Sequence, residues 1–492
     1  MNNAELLRKK PLLALIGFAA ALAATTLNAQ TLYMNPAATG NLTSNAVWST
    51  TLGGTYDQSW SDGNNMYFDP TGAITAYTIS ANMTTAGTIT VGSTSNTSQT
   101  IRLNSSGNTV SFTSVTFLDT VATDTLGYYG PTLPGGSFSV NGRGVFQFSG
   151  TPTSTFVGTI TANSAAGSGN NTQINFSNNS YSGTGTSISL NGQNNSNAQL
   201  AFTGGTTLTI GSLTSNAYAQ VNPSGGSGLT TLIVDQATNT TYASGAEGNA
   251  FGFIASRTGL VQKQGVGNLT FSGKNAFISQ YTAFEVAGGM LIVANTNNTT
   301  TALDYNTITV SAGGTLASDA TKRSLVGNSQ TVNATTGDIT AGANTNGFIA
   351  ATSGATSVID PTGTFALTQL EAQSGLTMKI DSAADRLSLF TLTGTTAAGG
   401  FRIDLTGFTG IADSTTYTVL SWLSGSGVEL ADFAGVLGGG KTMNSAFGTG
   451  GFQTVTADGV TSLQLQVVPE PATWAMVAGA GAILMLARRR RA

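Results

Sequence analysis

The feature that most constrains this chain is a two-residue alternation that recurs for hundreds of residues. Val, Ile, Leu or Phe alternates with Thr, Ser or Asn in TITVG (88–92), TIRLN (100–104), TVSFTSVTF (109–117), SFSVNG (137–142), VFQFSG (145–150), TQINFS (172–177), SISLNG (187–192) and TLTIGSL (207–213). Period two is the period of a strand, whose successive side chains point to opposite faces. Gly and Asn at the ends of the runs mark turns. The middle of the chain carries no helical signature of useful length. Three architectures accommodate so many short strands: an array of β-sandwiches, a β-propeller or a β-solenoid. A propeller needs a repeat of ~40 residues with a recurring aromatic or Asp signature, and none is present. The expectation is therefore an all-β chain, a right-handed parallel β-helix or β-solenoid. Its parallel strands should run from about residue 70 to 365, with roughly 20–25 residues per coil. Val, Ile, Leu and Phe would fill a narrow core, and Asn and Thr would form hydrogen-bonded ladders outside. The open ends would need caps.

Composition excludes several functions. The 492 residues include 63 Gly, 80 Thr and only 40 charged side chains, with no Cys and no His. A disulfide scaffold, a zinc finger and a His-ligated metal site are all excluded, as is a nucleophile activated by His. The net charge of -4 argues against nucleic acid as a partner, since phosphates call for a basic surface. The distribution of charge is more telling. Three basic residues stand at Arg8, Lys9 and Lys10, four at Arg488, Arg489, Arg490 and Arg491, and the body between them is mildly acidic.

The N-terminus has the order of a secretory signal: a basic region, an apolar run from Leu12 to Ala24, then small residues. Cleavage is expected after Ala29, leaving Gln30 as the new N-terminus. Leu27 is an imperfect residue for that site, and Ala21-Leu22-Ala23 is the competing small-x-small pattern. The apolar run is shorter than the ~20 residues of a bilayer span, which disfavours the alternative of an uncleaved anchor.

At the other end the chain reads VVPEPATWAMVAGAGAILMLARRRRA. Ala472 to Ala487 carries no charge and would form a helix of about 24 Å, slightly short for a ~30 Å hydrocarbon core. Trp474 suits one interface, and the four arginines suit the cytoplasmic side of the other. Pro469 and Pro471 hold the segment around Glu470 extended and open to a protease. An ordinary tail anchor is the alternative to such a processed end. Pro469-Glu470-Pro471, a short apolar helix and an arginine cluster, in that order, resemble the PEP-CTERM sorting signal. The resemblance covers about 25 residues. It implies recognition by an exosortase, a membrane cysteine protease-transpeptidase, and cleavage near the motif. The mature protein would then be released or attached to the envelope.

A second resemblance lies in the body. Residues 265–293, GVGNLTFSGKNAFISQYTAFEVAGGMLIV, resemble the autotransporter-associated β-strand repeat. Leu269, Phe271, Ser272, Gly273, Asn275 and Phe277 match its first half; Gly288, Gly289, Leu291 and Val293 match its second. SQYTAF departs from the Gly-Gly-Thr turn that the family prefers. ITVSAGGTLAS (308–318) is similar to a degenerate next coil. The aromatic-rich stretch ending in WSDGNNMYFDP resembles the opening segment of such proteins, and would cap the first coil. LTMKIDSAADRLSLFTLTG and TTYTVLSW resemble their C-terminal part, the last coils with a cap. The domain organisation is then a signal peptide (1–29), an N-terminal cap region (30–70), a solenoid (71–365), a C-terminal β region (366–468) and the sorting signal (469–492).

Signals for catalysis are weak. There is no G-x-S-x-G, no S-x-x-K, and no pair of carboxylates at i and i+2. The nearest pairs, Asp57/Asp62, Asp381/Asp385 and Glu429/Asp432, suit turns and caps. DQSWSDGNN (57–65) lacks the acidic spacing and closing Glu of an EF-hand loop. No catalytic, cofactor or metal residue is assigned. The expected function is that of an exported, non-catalytic surface or extracellular-matrix protein, adhesin-like, in an envelope or biofilm. Its expected partners are the Sec machinery, an exosortase, the membrane before processing, and exopolysaccharide or other surface components. A β-helix carbohydrate-active enzyme such as a polysaccharide lyase is the alternative.

Overall fold

The computed structural model describes residues 29–469, apart from a set of short segments and the longer stretches 244–258, 273–281 and 295–307. Its regular structure is strand throughout, save one 3₁₀ turn at Leu430–Asp432. The chain winds as a β-solenoid whose strands pair in parallel with those of the coils before and after.

One face runs the whole length. It passes through Thr31–Met34, Asn65–Phe68, Thr88–Val91, Ser114–Phe117, Phe138–Gly142 and Gly158–Asn163. The second halves of Tyr181–Asn191 and Thr207–Ser215 carry it on to Thr240–Ala243 and Asn268–Ser272. It then continues through Gly289–Ala294, Gly314–Ser318, Ser357–Asp360, Leu376–Lys379 and Phe401–Asp404 to Phe433–Val436. Partners in neighbouring coils are 22 to 29 residues apart between Ile89 and Ser318, somewhat longer than the 20–25 that sequence suggests. One step is far longer, from Leu316 to Ile359. It contains an antiparallel hairpin of Gln330–Val332 with Ile339–Gly342.

The second face is an eight-stranded parallel sheet from Gly40–Asn41 to Ala219–Ser224. The third begins at 181–183 and 207–210, then follows Thr230–Asp235, Gly259–Gln264, Thr282–Val286 and Ile308–Val310. Tyr181–Asn191 and Thr207–Ser215 are bent strands that serve both the third face and the first, with the register shift falling between Gly183 and Ser187. The bend of the second strand sits at Gly211. A Cβ there would collide with the carbonyl of Thr184 in the coil below, so the tight corner requires glycine.

Alternation builds the core. Val115, Val140, Leu190, Leu213, Tyr242, Phe271 and Val293 are fully buried along the first face. On the second, Tyr128, Phe148, Phe176 and Phe202 lie in register, and the rings of Phe148 and Phe176 stack with centroids 4.8 Å apart. Leu269 and Phe271, expected to point inward, do so: both are buried, Leu269 between Thr240 and Leu291 and Phe271 between Tyr242 and Val293.

Both ends of the stack are covered. Trp48 is fully buried at the first coil, with its indole N–H donating to the carbonyl of Leu42 at 3.1 Å and its ring against Trp60 and Phe68. At the last coil, Tyr417–Ser426 turns to antiparallel pairing with Val460–Leu465, which pairs in turn with Phe452–Ala457. Phe452, Leu463 and Leu465 close the core there. These covers shield the apolar core at both ends, while Phe433–Val436 and Phe452–Ala457 remain edge strands, each paired on one side among the described residues.

Candidate functional site

The proposed cleavage pair, Ala29 and Gln30, immediately precedes the first strand. Gln30 is already tied to the coil above: its carbonyl accepts from the Asn65 N–H at 2.8 Å, and its N–H donates to Asn64 Oδ1 at 3.3 Å. At the far end, Val467–Pro469 pairs antiparallel with Lys441–Met443, placing Pro469 opposite Lys441. Glu470, Pro471, Arg488, Arg489, Arg490 and Arg491 lie outside the described residues, as do both apolar end segments and Gly273, Asn275 and Phe277 of the repeat. Among the described residues no helix is long and apolar enough to cross a membrane, and no group of three or more acidic side chains is placed to hold a metal ion.

The carboxylates singled out in the sequence are engaged in turns. Asp62 Oδ1 accepts from the Trp60 indole at 3.0 Å and from the Thr84 N–H at 2.8 Å. Asp57 accepts from Gln58. Asp385 accepts the backbone N–H groups of Gly363, Asp381 and Ser382. Asp432 takes the N–H of Glu429 at 2.7 Å. These are the contacts by which Asp stabilises turns and helix starts.

Two ionisable groups almost closed to solvent, Asp124 and Lys263, were missed in the sequence, as was the less deeply buried Asp119. Asp124 is fully buried and accepts the Gln99 N–H at 3.0 Å, while its Oδ2 has no partner. Burial, with smaller upward contributions from Asp119 and Asp69, outweighs that hydrogen bond and raises its pKa to about 6. Lys263 is 2% exposed, at an inward position between Val234 and Val286. Its ammonium lies at a corner and donates to the carbonyls of Gln264, Gly265 and Gly288, the last two at 3.1 and 3.2 Å. Burial lowers its pKa to about 8, against an upward pull from Asp235. Both groups were visible in the strand phase: Asp124 shares the parity of Leu126 and Tyr128, and Lys263 that of Val261.

The outer side of the first face is hydroxyl and carboxamide. Asn65, Thr88, Ser114, Ser139, Thr161, Ser189 and Thr214 follow one another in register, with Thr88 and Ser114 hydroxyls 3.0 Å apart. Beside them Asn163 donates to Asn141 at 2.8 Å and Asn191 donates to Asn163 at 3.0 Å. Tyr33 and Tyr67 head this second file, with rings 5.0 Å apart. Charge returns towards the C-terminal end, where Lys379 bridges Asp360 at 3.6 Å and Asp381 at 3.2 Å.

Comparison of the chain with family models, with curated proteins and with solved structures finds no match.

Proposed function

We propose that the chain is an exported, non-catalytic surface or extracellular-matrix protein, sorted through its C-terminal signal. In this reading residues 1–29 form a signal peptide for the Sec machinery. Residues 472–487 form a transmembrane helix that holds the body outside the cytoplasm until an exosortase acts near Pro469-Glu470-Pro471. The coils wind right-handed, as parallel strand–crossover–strand connections almost always do. The mature body acts by adhesion within an envelope or biofilm.

One observation carries the proposal. Among the described residues, the folded stack fits between the two proposed signals: the first strand starts at Thr31, one residue beyond Gln30, and the last ends at Pro469, the first residue of the sorting motif. Processing at both sites would leave the ladder and its two covers whole. Three of the noted carboxylates, Asp62, Asp385 and Asp432, accept backbone N–H groups, a structural use that suits a scaffold.

The test is mass spectrometry of both ends of the protein recovered outside the cells of its producer. The expected termini are Gln30 at the start and a residue within Pro469–Pro471 at the end. Extracellular material that retains Arg488–Arg491 would refute the sorting reading.

A further inference from the structure

The corner between the third face and the first holds an open groove of about 440 Å³. It spans four successive coils. Thr184, Ser187, Ser212, Asp235, Thr238 and Val266 line it, with glycines between them. Its shape follows from the sequence. The bends at Gly185 and Gly211 are tight, whereas the next two corners, at 236–239 and 265–267, are longer turns. The passage from tight to long turns leaves a hollow. Its floor stays bare because a Cβ at Gly211 or Gly265 would strike the backbone of the coil below.

The lining defines the ligand. It offers hydroxyls that donate and accept, one carboxylate that accepts, and two apolar side chains, Ala237 and Val266, the latter 82% exposed. The volume is in the range of small-molecule and oligomer sites. Ser187 and Ser212 also belong to the outer side of the first face, so the groove opens onto the hydroxyl and carboxamide files. Outward positions on that face carry no ionisable acid or base from Thr88 to Thr270 among the described residues. A polyanion such as a nucleic acid would need cations here. A protein partner would need aromatic or arginine anchors at the centre of the contact. A polymer of neutral sugars needs neither. Its hydroxyls exchange hydrogen bonds with Ser, Thr and Asn, a carboxylate accepts from adjacent sugar hydroxyls, and the apolar face of a ring covers Val266.

We propose that this groove binds a segment of a neutral polysaccharide, with Asp235 accepting sugar hydroxyls and the rest of the polymer extending over the uncharged face. The proposal rests on the surface-protein reading for its setting, but binding is measured on purified protein and is independent of how the ends are processed. The experiment is native gel electrophoresis of the purified full chain in mild detergent. The gels contain dextran, hydroxyethyl cellulose or soluble starch as neutral probes and alginate as the anionic one. The expected result is retardation by at least one neutral polymer and none by alginate. Ser212→Trp and Thr238→Trp, which fill the groove from two sides, should each weaken retardation at least tenfold, and Asp235→Asn severalfold. Thermal melts identify any variant that fails to fold, and Asp235→Asn keeps the shape of the side chain it replaces. Retardation by alginate alone, by no polymer, or equally in wild type and all folded variants would overturn the proposal. So would self-association of the wild type that is abolished by Ser212→Trp, since a second copy would then be the occupant.

Discussion

Asp124 is a carboxylate at a position that strand alternation reserves for the core. Its neighbours in phase, Leu126 and Tyr128, are buried as apolar side chains should be. The ring-lined interior disfavours its charged form, and one backbone N–H only partly compensates. A carboxyl whose folded pKa is raised contributes most stability where it is protonated, below its unfolded value near 3.8, and that contribution is lost as pH rises through about 6. Asp124→Asn keeps an oxygen for the Gln99 N–H and removes the charge. It should therefore stabilise the protein at pH 7.5 by on the order of 2 kcal/mol and leave it nearly unchanged at pH 4. Urea melts of both proteins at the two pH values check this; an equal gain at both would mean that charge burial is not the cause. The inward phase of Asp124 follows from alternation with Leu126 and Tyr128, whereas its degree of burial depends on the coils before and after it.

At the scale of the element, a strand of the solenoid's interior lies between two others. Asn268–Ser272 pairs with Thr240–Ala243 on one side and Gly289–Ala294 on the other. Leu269→Asp would place an unpaired charge against Leu291 in a core one side chain deep. It should cost roughly 3 kcal/mol or more. Thr270→Ser, on the outward side of the same strand, should change stability by less than about 0.5 kcal/mol. Thermal melts of the two variants decide the matter: similar losses would mean that the register is misplaced. This inward face was legible because alternation reports which side a residue takes, whatever it pairs with. Pairing partners were not legible, because coil length varies with each corner. The hairpin between Leu316 and Ile359 interrupts the spacing without breaking the ladder, and no local pattern announces it. The groove was invisible for the same reason. Its residues are ordinary turn and strand residues until four corners are stacked, at which point Ser187 and Val266, 79 positions apart, line one hollow.

The whole molecule is a stack in which coils contact chiefly their immediate neighbours, the exception being the hairpin strand Ile339–Gly342, which reaches on to Arg386–Gly394 and Tyr417–Ser426. At ~4.8 Å per coil, the ladder from Thr31–Met34 to Phe433–Val436 spans on the order of 70 Å. Such a stack has no central core that all parts share, so stability is set locally and is weakest where a coil has one neighbour. The covers at the two ends act against that weakness. Trp48 fills the open end beneath Phe68 and the first coils, and its loss should loosen those coils and little else. Hydrogen exchange followed by mass spectrometry resolves the difference. In the wild type, protection should be highest in the middle coils, such as 198–235, and decline towards both ends. Trp48→Ala removes a large buried side chain, a change that typically costs 3–5 kcal/mol. Amides of Thr31–Met34 and Asn65–Phe68 should then exchange at least a hundredfold faster, while those of 198–235 keep their wild-type rates. If protection fell equally along the whole chain, the molecule would unfold as one cooperative unit. The nearest-neighbour account of its stability would then be wrong, even with every strand pairing in place.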